Sequence, residues 1–184
     1  MIPFEFHITT PADQIEKAGE LLKCRVHSFH NISSLGEAID DNVTHQKAEF
    51  TSHIEAQNFL EANVKLLKEA KIIVLRSKIE TVPWYNLAQP NPLFQYFETH
   101  VRVYTDSYRT LKPWLLSINR LSLTKTMTLR TQLEVDKGSF AHHRKLLDLH
   151  IPSLVSLNVI PVGKPDTEFV IFDSNRKHDE RWER

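Results

Sequence analysis

Apolar and polar residues alternate with period two at the start of the chain. Phe4, Phe6 and Ile8 fall on one face of an extended segment, and Glu5, His7 and Thr9 on the other. The spacing then becomes helical in PADQIEKAGELLKCR, where Ile15, Ala18, Leu21 and Leu22 share a stripe, with Pro11 and Asp13 at the start. VHSFHNI and AEFTSHIE read as strands joined by a polar connection over 33–47. AQNFLEANVKLLKEA is a second amphipathic helix through Phe59, Leu60, Val64 and Leu67, and KIIVLRSKIE is a strand ended by Pro83. The order predicted for the first half is β-α-β-β-α-β.

The second half repeats this grammar. YFETHVRVYT, RLSLTK, MTLRTQLEV and TEFVIFDSN read as strands, and SYRTLKPWLLSI and SFAHHRKLLDLHIPSLV as helices. Local matches recur in the same order: Phe-Glu-x-His at Phe4 and Phe97, FTSHIE against LRTQLE, and VLRSK against IFDSN. These point to a duplication, with one repeat over 1–88, a second over 93–184, and the Pro-containing NLAQPNPL as the linker. Two βαββαβ units resemble a tandem ferredoxin-like fold of the α+β class. That resemblance implies an antiparallel sheet in each repeat with both helices on one face.

The polar faces of these strands carry the candidate chemistry. With Phe4, Phe6 and Ile8 under the helices, Glu5 and His7 lie on the helix-free face, and Glu98 and His100 occupy the equivalent place in the second half. These four are the candidate catalytic residues. By the same parity His53, Arg76, Lys78, Arg102, Arg130, Asp173 and Asn175 are candidate ligand-binding residues. His7 is expected beside His53, and His100 beside Gln132. A wet sheet face needs no such concentration of titratable groups for solubility alone, so the face reads as a pocket.

Three chemistries fit these residue types. Paired histidines with arginines suit phosphoester chemistry, with imidazole as general acid or base. His7-Ile8-Thr9 is similar to the His-x-Thr motif of the two-histidine phosphoesterases, also duplicated proteins, and the second copy reads His100-Val101-Arg102. A two-histidine, one-carboxylate metal site is the second reading, drawn from His7, His100 and Glu5 or Glu98. HITTPADQIEKAGELL resembles the opening of a vicinal-oxygen-chelate module, which implies a metal at His7, and FDSNRKHDE spaces Asp173 and Glu180 as that family spaces its closing acids. The third reading is a non-catalytic module that holds a small or anionic ligand, or a protein partner.

Composition narrows the classes. In 184 residues Lys plus Arg equals Asp plus Glu at 23 each, so no overall field favours nucleic acid or anionic membrane. Ten histidines make the charge responsive between pH 5 and 7. One cysteine, Cys24, precludes an intrachain disulfide and suits a reducing compartment, and no leader pattern follows Met1. The expectation is a cytoplasmic protein. Four glycines leave no dinucleotide fingerprint, P-loop or nucleophile elbow. No cofactor is fixed by these residues, although they admit a divalent metal.

Overall fold

The computed structural model describes residues 1–32, 38–85, 95–104, 121–124, 128–134, 160–161 and 163–181. Within them, β1 (Ile2–Thr9) leads to α1 (Ile15–Leu22), β2 (Arg25–Ile32), β3 (Ala38–Phe50), α2 (His53–Glu69) and β4 (Arg76–Thr81). β5 (Tyr96–Tyr104), β6 (Leu121–Thr124), β7 (Thr128–Glu134), β8 (Ile160–Pro161) and β9 (Asp166–Asp173) follow, with a 3-10 turn over Arg176–Arg181. The fold is α+β with antiparallel strand pairing and two described α-helices. None of the described helices is long and apolar enough to cross a membrane.

The strands run in the order β7-β6-β2-β3-β1-β4-β9-β5, and β5 also pairs with β7, so the sheet closes on itself. Among the described residues, β8 pairs with the end of β5, at Val103 and Tyr104. Closure removes free sheet edges and separates an inside from an outside. Two antiparallel seams join the halves of the chain: β4 against β9 and β2 against β6.

The helices define the outside. Phe4, Phe6 and Ile8 are fully buried with Ala18 and Leu22 of α1 and Ala56, Leu60 and Leu67 of α2. Phe6 meets Phe59 at 4.9 Å and Phe50 at 5.9 Å between ring centres. Each such ring contributes about 1.5–3 kcal/mol through burial. α1 ends where Lys23 takes a left-handed conformation (φ 52°) and Cys24 N–H bonds back to Gly19 C=O. Gly19 itself admits the close approach of β2, because a Cβ there would collide with Val26 Cγ1.

Two elements differ from the sequence expectation. The polar connection expected over 33–47 is largely β3, which begins at Ala38. The strand expected through Thr51, His53 and Glu55 stops at Phe50, and α2 starts at His53. Ser52 accepts a hydrogen bond from Glu55 N–H, while Glu55 Oε2 accepts from Thr51 N–H, so SHIE is a reciprocal helix cap. The cap competes with strand extension and wins. The strand expected from Lys71 begins only at Arg76. The two helices expected in the second half and the linker lie outside the described residues.

Candidate functional site

Strand parity sets the inner face. With even positions of β1 on the apolar outside, Glu5, His7 and Thr9 point inward, and their cross-strand partners point the same way. Glu5 stands opposite Lys47 on β3 and Glu80 on β4, and His7 opposite His45 and Lys78. On β5, Phe97 stacks on Phe169 within the apolar cluster, which turns Glu98 and His100 inward. Glu98 pairs with Glu168 and Gln132, and His100 with Asp166 and Arg130.

These side chains form a continuous polar chain across the lumen. His7 Nε2 lies 2.8 Å from Glu80 Oε2, and Lys78 Nζ contacts Glu80. Lys78 Nζ lies 2.9 Å from Glu98 Oε2, and His100 Nε2 lies 3.4 Å from Glu98 Oε1 and 3.5 Å from Glu168 Oε2. Glu80, Lys78 and Glu98 are buried, whereas the His7, His100 and Glu168 side chains keep 20%, 28% and 22% of their exposure. Buried ions thus make a floor, and accessible imidazoles and Glu168 line the space above it. On the wall beside His7, His45 Nε2 lies 2.7 Å from Glu5 Oε2, and Lys47 donates to Glu5 Oε1. The His7 and His45 rings stack at 5.0 Å with 18° between planes, and His27 is 5.5 Å from His45.

The electrostatics are uneven. Burial pushes the Glu168 carboxyl up to about 7, the nearby Glu80 charge adds to this, and His100 opposes it. Glu80 moves the other way: burial would raise it, but Lys78 and His7 hold it well below the ordinary carboxylate value. Glu5 is lowered too, with burial outweighed by His45 and Lys47. His27 is lowered by burial and by the charges of His45, His7 and Arg25. Two carboxyls in one lumen are therefore pushed in opposite directions, a division of labour that acid–base catalysts use.

The structure brings together four of the sequence candidates, Glu5, His7, Glu98 and His100, with Lys78 between them. It removes others. His53 is at the start of α2, with Nδ1 3.1 Å from Tyr85 Oη, away from the barrel's inner face. His45 takes the place expected of it beside His7. Arg76 and Asp173 face inward but bind each other: Arg76 Nε donates to Asp173 Oδ1 at 2.9 Å and Tyr96 Oη donates to Oδ2 at 2.7 Å. Asp173 is thus engaged in an ion pair rather than set beside a metal ligand. Asn175 donates to Leu75 C=O outside the lumen cluster. Arg102 and Arg130 lie on β5 and β7, and the side chains of Arg102, Arg130 and Glu180 are outside the described residues. Gln132 stands opposite Glu98 rather than His100.

Sequence reasoning missed Glu80, Glu168, His45 and Lys47. Glu80 continues the Arg76, Lys78 alternation by one step and was legible. Comparison with known proteins finds no matching family model, curated relative or solved structure. The functional reading therefore stands on the lumen itself.

Proposed function

We propose that the barrel lumen is the active site of a small-molecule enzyme working by carboxylate–imidazole acid–base chemistry, with phosphoesters as the substrate class. The observation that carries this reading is the Glu168 carboxyl, pushed to about 7 within 3.5 Å of His100. A carboxylic acid poised near neutrality can protonate a leaving-group oxygen, and a neighbouring imidazole can take a proton from water. Lys47, exposed at the wall and paired with Glu5, supplies a cation for an anionic substrate. The strand order β2-β3-β1-β4 recurs as β6-β7-β5-β9, which supports the reading of two ferredoxin-like repeats joined edge to edge. In that reading each repeat contributes its helix-free face, and the two Glu-x-His pairs meet in one chamber.

A panel of cyclic and linear phosphodiesters and phosphomonoesters, assayed from pH 5 to 9, tests the proposal. Turnover is expected to fall above about pH 7, and Glu168→Gln is expected to remove that limb while lowering the rate about 100-fold. Turnover that is indifferent to both Glu168→Gln and His100→Ala would place the chemistry elsewhere. The second reading, a binding module without turnover, is favoured by the mutual pairing of Glu80, Lys78 and Glu98. Saturable binding of a phosphoester without hydrolysis would select it.

A further inference from the structure

The wall formed by β1 and β3 holds a second constellation. Glu5 and His7 are two residues apart on β1 and share its inner face, and His45 stands directly across from His7 on β3. One ligand atom from each of Glu5, His7 and His45 can be chosen so that all lie within 4.8 Å of one another. We infer that Glu5, His7 and His45 form a binding site for a first-row divalent transition ion. Donors sharing one such ion at bond lengths of about 2.0–2.2 Å stand up to about 4.4 Å apart, so closing this set needs only small side-chain rotations.

Further observations point the same way. His7 Nε2 is buried 2.8 Å from Glu80 Oε2, so one ring nitrogen is held by a carboxylate. The His7 and His45 rings stack with centres 5.0 Å apart, which sets two imidazoles side by side on one wall. Outer partners are also in place. Lys47 holds Glu5 Oε1 and leaves Oε2 facing His45, and Glu80 backs His7, the arrangement by which carboxylates orient metal-bound imidazoles. Two imidazoles and one carboxylate with solvent access select zinc, iron(II), cobalt(II) or manganese(II) over calcium or magnesium, which prefer oxygen alone.

This site does not rest on the proposed reaction, so its test measures binding and not turnover. The full chain, stripped with chelator, is titrated with cobalt(II) and followed by visible absorption, and with zinc followed by imidazole NMR. One equivalent is expected to produce cobalt ligand-field bands and to shift the His7 and His45 ring signals together. His45→Ala and Glu5→Gln should weaken binding by more than about 100-fold, since even outer partners of a metal site account for about 10–100-fold. His53→Ala, on α2, should leave it unchanged. Should a variant fail to fold, the wild-type NMR pattern decides alone. Substoichiometric uptake, or zinc shifts spread over His53 and His100 with His7 and His45 silent, would overturn the assignment.

Discussion

Asp173→Asn tests the seam between the two halves of the chain. Asp173 on β9 is opposite Lys78 of β4, and its carboxylate is fully buried against Arg76, whose side chain is 4% exposed. The carboxylate accepts from Arg76, from Tyr96 Oη at 2.7 Å and from Asn175 N–H at 3.0 Å. The amide keeps the volume but removes the charge, so a buried guanidinium loses this carboxylate partner. Breaking a buried pair on one side costs about 3–5 kcal/mol, a fifth or more of a typical total of about 5–15 kcal/mol. Urea unfolding at pH 7 should show that loss. Burial alone would raise the Asp173 carboxyl, but Arg76, Asn175 N–H and Tyr96 hold it below its ordinary 3.8. The pair's stabilisation is therefore present above pH 3.8 and lost as the pH falls through the lower folded value. The gap between wild type and variant should narrow in that acid range. Arg76→Met combined with Asp173→Leu should cost less than Asp173→Asn alone, because no uncompensated charge remains. A single-variant loss under about 1 kcal/mol, or no acid convergence, would refute the reasoning.

Phe6→Ala should cost roughly 3–5 kcal/mol by chemical denaturation, since the ring is fully buried between Phe50 and Phe59. A loss under about 1 kcal/mol would put the apolar face of β1 on the wrong side. Gly19→Ala should destabilise by about 1–3 kcal/mol despite the roughly 1 kcal/mol gain in helix propensity, because the new Cβ meets Val26; a more stable variant would mean that α1 can move off β2. Glu168 has a folded value of about 7 against 4.5, so its contribution is complete below pH 4.5 and is lost as the pH rises towards 7. Glu168→Gln should flatten that decline, by up to about 3 kcal/mol across the interval, and parallel wild-type and variant curves of unfolding midpoint against pH would contradict the perturbed carboxyl.

β1 was legible because one face of it is entirely apolar and the other entirely polar, the condition under which period two is visible. β3 was not, because neither face announces itself. Its inner positions are Asp41, Val43, His45 and Lys47, and its outer ones include Asn42, Thr44 and Gln46. The outer polar groups are used locally, as when Gln46 donates to Leu22 C=O and Asn63 donates to Gln46. Such positions satisfy the ends and flanks of helices without any apolar signature. The start of α2 failed for a different reason: Thr51 and His53 continue an alternating pattern, and only the Ser52 to Glu55 spacing reveals the cap.

The site was half legible, and the missing half follows from one irregularity and one closure. Against β4, β9 passes from Phe172 opposite Ile79 to Val170 opposite Glu80, so one extra residue lies on β9 and its alternation inverts. Counting inward positions back from Asp173 by twos reaches Thr167 and misses Glu168, although the two carboxyls share the inner face. No glycine marks the bulge, so the sequence carries no sign of it. Closure is equally silent, since the β4–β9 and β2–β6 seams pair residues far apart in the chain. It nevertheless decides what the polar faces mean. Apart, two sheet faces bearing Glu and His are wet surfaces on which each charge is screened. Closed into one lumen, Glu5, Glu80, Glu98 and Glu168 confront only Lys47 and Lys78 among the described ammonium groups. The excess is met in two ways that the structure displays: imidazoles placed against the carboxylates, and one carboxyl, Glu168, that keeps its proton to about pH 7. A lumen that retains a proton to balance its own acids is one in which a bound cation can take that proton's place.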